Sequence, residues 1–168
     1  MTLVLVGGGA RSGKSRYAQQ RALDAASLER PIYIATAFAD DDVEMRERID
    51  QHRTDRADAF ETLEAPLELA EAIAGLPADR AVVVDCLTVW LANVMHAGRT
   101  ADHAAVIAAT RARSGLTILV TNEVGEGIVP MHPVTRAFRD AAGFMNQQYA
   151  AAAHAVFFTR FGIAQQVK

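Results

Sequence analysis

Gly8-Gly9-Ala10-Arg11-Ser12-Gly13-Lys14-Ser15 stands between an apolar run, Leu3–Val6, and a helix-forming segment, Lys14–Ala26. The spacing G-x-x-x-x-G-K-[ST] is met at every fixed position. Such a loop needs glycine because its backbone wraps closely around an anion with the N–H groups turned inward. A helix that begins within it adds the partial positive charge of its N-terminus. Lys14 then supplies a point charge for the β- and γ-phosphates of a nucleoside triphosphate, and Ser15 a hydroxyl for magnesium. Gly8, Gly9, Ala10, Arg11, Ser12, Gly13, Lys14 and Ser15 are therefore the expected nucleotide-binding residues. A glycine-rich turn that merely contains Lys-Ser is the weaker alternative, because strand and helix both flank the loop. The dinucleotide pattern G-x-G-x-x-G fails, since Ser12 stands where its third glycine would fall.

Composition agrees with one soluble nucleotide-binding domain spanning 1–168. The 168 residues suffice to bury a core without staples. Seventeen Lys+Arg against twenty Asp+Glu leave a net charge of −3, which argues against a nucleic-acid partner. No apolar stretch approaches the ~18–20 residues of a membrane span. The single cysteine, Cys86, precludes an intramolecular disulfide and fits a reducing cytoplasm. The N-terminus carries no basic region or cleavage site, so a cytoplasmic location is expected.

Apolar, β-branched runs recur at Leu3–Val6, Pro31–Thr36, Ala81–Asp85, Leu116–Thr121 and Ala155–Thr159. They are continuous rather than alternating, as expected of strands covered on both faces. Helices are expected between them at Lys14–Ala26, Leu67–Ala74, Leu87–His96, Ala101–Arg113 and Val134–His154. The alternation predicts an α/β fold with a mainly parallel sheet and helices on both faces, of the phosphate-loop NTPase type.

Asp40–Arg56 departs from this pattern. Three aspartates can cap a helix there, but Val43, Met45 and Ile49 are its only apolar anchors. The segment reads as a solvated arm or as a surface for a charged ligand. Glu44, Arg48 and His52 share one face of it. On the residues alone, His52 is an ordinary surface histidine.

Asp85 ends the run Ala-Val-Val-Val-Asp, where a phosphate-loop protein places an acid for magnesium. An N-cap for the following helix explains the same residue, and both roles are compatible. Cys86 reads as a small buried side chain rather than a nucleophile. Thr121-Asn122-Glu123-Val124-Gly125-Glu126-Gly127-Ile128-Val129-Pro130 marks a structured loop at the carboxyl edge of the sheet, where open α/β folds bind ligands. It is not the Asn-Lys-x-Asp base-recognition motif of Ras-like GTPases. The other histidines, His96, His103, His132 and His154, show no ligand spacing, so magnesium is the only metal expected.

Taken together, the motifs resemble one family over nearly the whole chain. They are the loop at 8–15, Tyr33-Ile-Ala-Thr36, Glu44-Met45 with Arg48-Ile49 and His52-Arg53, and Asp85-Cys-Leu-Thr-Val-Trp-Leu-Ala-Asn93. Thr121–Gly125, Gly127–Pro130, Phe138-Arg-Asp140 and Asn146-Gln147 complete the set. The chain is similar to the bifunctional adenosylcobinamide kinase / adenosylcobinamide-phosphate guanylyltransferases of cobalamin biosynthesis. The resemblance implies two reactions: phosphorylation of adenosylcobinamide with ATP or GTP, then GMP transfer from GTP to adenosylcobinamide phosphate. It implies that His52 is the covalent GMP carrier, with Arg53, Thr36 and Glu64 near the nucleotide. It also implies a homo-oligomer, a trimer in this family. Three stretches depart from the family pattern. Arg56-Ala57-Asp58-Ala59-Phe60 replaces an Arg-Pro stretch followed by Trp and leaves Phe60 as its aromatic. His154 stands where Ala-Asp is usual, and the segment between Asn93 and Leu116 is short. Two other functions fit the phosphate loop alone: a small-molecule kinase without guanylyl transfer, and a non-catalytic GTP-binding regulatory module.

Overall fold

The structure is a computed structural model, which describes residues 2–26, 29–37 and 57–168. Its strands are β1 (Thr2–Gly8), β2 (Ile32–Ala35), β3 (Glu61–Glu64), β4 (Val82–Asp85), β5 (Leu116–Asn122), β6 (Ala155–Arg160) and β7 (Ile163–Gln166). The helices are α1 (Lys14–Ala25), α2 (Leu69–Ala74), α3 (Leu87–His96), α4 (His103–Arg111) and α5 (Pro133–Ala152). One sheet runs β3-β2-β4-β5-β1-β6-β7. All neighbours are parallel except the β6–β7 hairpin at one edge.

The continuous apolar runs arise because successive side chains feed two cores. Leu3, Leu5, Val82, Val84 and Leu119 face α2, α3, α4 and α5, packing with Leu69, Trp90, Val106 and Met145. Val4, Val6, Val83, Ile118 and Val120 face the other way and pack with Ala18 and Ala22 of α1. The small α1 residues let that helix lie close over the sheet, which fixes where its first turn meets the carboxyl ends of β1 and β4.

Among the described residues every expected strand and helix is present, with ends shifted by a few residues. α2 starts at Leu69 rather than Leu67, since Glu68 is its N-cap. Pro66 instead lends its carbonyl to Asn93 Nδ2, at 3.1 Å. Two strands were not expected from the sequence. All four residues of β3 are exposed, and β7 is almost as open. These edge strands have no apolar run of their own; pairing with β2 and β6 makes them. His154, where the family pattern is broken, accepts a hydrogen bond at Nδ1 from the Leu3 N–H at 3.0 Å. It ties the end of α5 to the start of β1. Among the described residues, no helix is long and apolar enough to cross a membrane.

Candidate active site

The loop from Gly8 to Lys14 closes over the carboxyl end of β1. Gly13 is the N-cap of α1, with φ +97°, in the left-handed region that favours glycine. A Cβ there would meet Gly162 Cα at 3.0 Å. The β6–β7 turn supports the loop from that side, since the Gly162 N–H donates to the Ser12 carbonyl at 3.0 Å. Ser12 is buried, and its hydroxyl lies 2.7 Å from that of Thr159. Thr159 in turn donates to the Gly7 carbonyl at 3.1 Å. A Cβ on Gly8 would collide with Thr159, so β6 presses directly on the loop. The Lys14 side chain is 7% exposed, and Nζ donates to the Gly9 carbonyl at 3.0 Å. The ammonium is thereby folded back onto the loop.

Asp85 ends β4 on the α1 side of the sheet, two residues beyond Val83 of that core. The Tyr33 hydroxyl donates to Asp85 Oδ2 at 2.7 Å and orients the carboxylate. The cap alternative gains no support, because the N-cap of α3 is Cys86 and no side chain caps the helix. Cys86 is buried, and its thiol is pushed up to about 11, first by burial and then by the Asp85 charge. Lys14 acts on the same thiol in the opposite sense, so acid and ammonium both lie within electrostatic reach of one buried sulfur. The thiol is protonated at neutral pH, which makes Cys86 a packing residue.

Thr36 is fully buried just past β2. Its hydroxyl donates to the Cys86 carbonyl and accepts from the Cys86 N–H, both at 2.8 Å. The Thr36 N–H also bonds the Asp85 carbonyl at 3.2 Å. The threonine is thus a buried brace across the ends of β2 and β4. Glu64 is exposed at the end of β3, opposite Ala35 in register. Phe60 is 5% exposed and packs edge-on against Tyr33, with ring centroids 5.9 Å apart. It belongs to the core beneath Asp85, not to an open aromatic face. His52, Arg53 and the whole of Asp40–Arg56 lie outside the described residues.

The structure brings the loop and Asp85 to one edge and adds residues that carried no assigned role. Tyr33 orients the acid. Thr88 of α3 bonds the Asn122 N–H at 2.7 Å and lies 3.1 Å from the Thr121 hydroxyl. Asn146 of α5 accepts from Thr121 at 2.6 Å and donates to the Asn122 carbonyl at 3.2 Å. Thr121, Asn122 and Asn146 lie within the family motifs, but their spacing in sequence gives no sign that they meet. Beside the loop, a cleft of about 530 Å³ opens between Gly9–Ser12, Glu123, Glu126 and Phe158–Phe161. Arg160 closes one wall by pairing with Glu126 at 3.0 Å.

Comparison with known proteins agrees with this geometry. FlaH, the flagellar accessory protein of Methanocaldococcus jannaschii, superposes with TM-score 0.54 at 13% identity, covering 99% of this chain and 78% of that one. A second solved structure, an ATPase domain, does so with TM-score 0.52 at 11% identity, covering 94% of this chain and 68% of that one. These likenesses establish the fold, which is of the phosphate-loop NTPase type. Sequence relatives are nearer. The bifunctional adenosylcobalamin biosynthesis protein CobU of Escherichia coli (strain K12) is 38% identical over 184 residues, covering 99% of each chain. The CobU of Salmonella typhimurium is 39% identical with the same coverage. The corresponding protein CobP of Pseudomonas aeruginosa is 38% identical over 169 residues, covering 98% of this chain and 96% of that one. The family model for CobU, cobinamide kinase / cobinamide phosphate guanyltransferase, matches residues 4–167, and with these relatives spanning nearly the whole chain the protein belongs to that family of bifunctional transferases.

Proposed function

We propose that this chain phosphorylates the free hydroxyl of adenosylcobinamide with GTP or ATP, then transfers GMP from GTP onto the phosphate it has made. The observation that carries this is the concave loop, with the Lys14 ammonium lodged over it and Asp85 on the same face of the sheet. In the first step the substrate hydroxyl oxygen attacks the terminal phosphorus, the bridge to the β-phosphate breaks, and the nucleoside diphosphate leaves. Backbone N–H groups of Gly9–Lys14 and the Lys14 ammonium neutralise charge on the phosphates, so the chemistry is mainly positioning.

The oxygen donors at this edge suit magnesium. Ser15 offers a hydroxyl at the start of α1, and Asp85 a carboxylate already oriented by Tyr33. Among the described residues, no three His, Cys, Asp or Glu side chains form a metal cage. Ser15 and Asp85 are the residues that would hold a magnesium ion here. When bound it supplies charge neutralisation across the β- and γ-phosphates.

In the second step, His52 is assigned the nucleophile. A neutral imidazole nitrogen attacks the α-phosphorus and pyrophosphate leaves, giving a histidine-bound GMP. An oxygen of adenosylcobinamide phosphate then displaces the histidine and yields adenosylcobinamide-GDP. Arg53, Thr36 and Glu64 are assigned to the nucleotide in this step. A homotrimer in the cytoplasm is the proposed working form. Incubation with adenosylcobinamide and γ-labelled GTP tests the first step. Labelled adenosylcobinamide phosphate is expected from the native enzyme and none from Lys14→Ala. Label transfer by Lys14→Ala at the native rate would refute the loop's role.

A further inference from the structure

The β6–β7 hairpin turns on two residues. Arg160 pairs with Ile163, so Phe161-Gly162 is the entire connection. Both have positive φ, +54° and +77°. A two-residue hairpin with both central residues in that region favours Asn-Gly. Gly162 satisfies the preference; a bulky side chain at the first position does not. Among the described residues, Arg11 is the only other non-glycine with positive φ, at +53°. Arg11 lies inside the phosphate loop, whose wrapping accounts for it. The hairpin by itself gives no reason for Phe161.

Its location does. The Phe161 side chain is 96% exposed. A single exposed apolar residue is ordinary; one held in a disfavoured conformation on the wall of a ligand cleft points to a function. Phe161 and Arg11 line the same cleft of about 530 Å³ beside the phosphate loop. The turn is fixed against that loop, since the Gly162 N–H donates to the Ser12 carbonyl at 3.0 Å. A Cβ on Gly162 would meet the Arg16 guanidinium at 3.1 Å, so the turn also adjoins the first turn of α1. The ring is thus carried on a firm support next to the loop and the helix start, and the protein leaves it uncovered. Half-buried Phe158 extends the apolar wall. The Arg160 guanidinium lies 5.4 Å from the Phe158 ring centre and pairs with Glu126.

An uncovered aromatic ring with a guanidinium beside it suits another flat ring, through stacking and cation–π attraction. The reaction brings two purines to this edge of the sheet: the base of the donor nucleotide and the adenine of the acceptor's adenosyl group. We propose that Phe161 is a stacking platform for a purine ring bound in the cleft beside the phosphate loop. Stacking uses the face of a base and not its hydrogen-bonding edge, so the platform takes adenine and guanine alike. The strained turn keeps the ring out in the cleft rather than folded onto the sheet. The inference rests on the function proposed above.

The test compares the native protein with Phe161→Asn, Phe161→Tyr and Lys14→Ala. Phe161→Asn installs the favoured turn pair and removes the ring, whereas Phe161→Tyr keeps the ring. The ligands are GMPPNP and inorganic triphosphate, both with magnesium, and adenosylcobinamide and cobinamide, both at saturating GMPPNP. Phe161→Asn is expected to melt above the native protein and to bind the stacking ligand about ten-fold more weakly, with Phe161→Tyr native in affinity. A loss confined to GMPPNP and absent for inorganic triphosphate assigns the ring to the donor base. A loss confined to adenosylcobinamide and absent for cobinamide assigns it to the acceptor's adenine. Native affinity of Phe161→Asn for all four ligands overturns the proposal, as does a loss that extends equally to inorganic triphosphate or cobinamide, or one that Phe161→Tyr shares in full. A lower melting midpoint in Phe161→Asn, or failure to fold, makes Phe161 a structural residue and likewise overturns it. Inorganic triphosphate bound by the native protein and not by Lys14→Ala shows that the phosphate-loop function stands whichever way Phe161 falls.

Discussion

The Tyr33 hydroxyl donates to Asp85 Oδ2 at 2.7 Å, across 52 positions of sequence. β2 and β4 are parallel neighbours with Tyr33 opposite Val83, so the phenol reaches along the strands to the carboxylate two residues on. This bond holds the carboxylate in one orientation. Tyr33→Phe removes the hydroxyl and keeps the buried ring. It is expected to lower stability by about 1 kcal/mol and to raise the magnesium concentration needed for half-maximal turnover. A magnesium titration beside a thermal melt checks both. An unchanged magnesium requirement would show that Tyr33 only packs.

Asp85→Asn keeps the size of the side chain and removes its charge. Turnover at limiting magnesium is expected to fall by at least about ten-fold, as when a metal-orienting carboxylate is lost. Nucleotide affinity measured without magnesium is expected to change little, because Lys14 and the loop N–H groups carry that binding. Native turnover at limiting magnesium would reduce Asp85 to a partner for Tyr33.

Gly13→Ala forces a Cβ into a left-handed conformation and against Gly162 at 3.0 Å. A loss of about 1–3 kcal/mol is expected, read as a lower denaturant midpoint, together with weaker nucleotide binding. Gly9 is the control: a Cβ there meets nothing within 4 Å. Gly9→Ala is expected to melt with the native protein. Equal melting of both variants would contradict the close approach of the β6–β7 turn.

Cys86 carries the pH prediction. Its thiol titrates at 9.0 when unperturbed and at about 11 in the fold, mainly because of burial. The fold therefore favours the neutral form. Its contribution to stability is complete below pH 9 and is lost as pH rises from about 9 to about 11. Thiol reagents at neutral pH are expected to label Cys86 only after unfolding, and Cys86→Ala to flatten the alkaline limb of the stability curve. Rapid labelling of the folded protein would contradict the burial.

Much of this site was legible because its chemistry is contiguous. Gly8–Ser15 places a strand end, a turn and a helix start in one stretch, and the Val82–Asp85 run ends on its acid. Local pattern reached no further. β3 and β7 are polar edge strands made by their neighbours, so no apolar run announces them. The Thr36–Cys86 and Tyr33–Asp85 bonds join residues 50 and 52 positions apart, and only the register of β2 against β4 brings them together. The family resemblance alone pointed to His52, since a histidine among charged residues carries no distinguishing pattern.

The central claim is that one phosphate-loop site both binds GTP and hands its GMP to His52. Incubation with α-labelled GTP, followed by denaturation and counting of label on the chain, tests it most directly. The native protein is expected to retain acid-labile label. Lys14→Ala is expected to retain none, because the triphosphate is no longer held. His52→Ala is also expected to retain none, while still moving γ-label to adenosylcobinamide in part. Label persisting on His52→Ala at another residue, or on Lys14→Ala at the native level, would contradict the account.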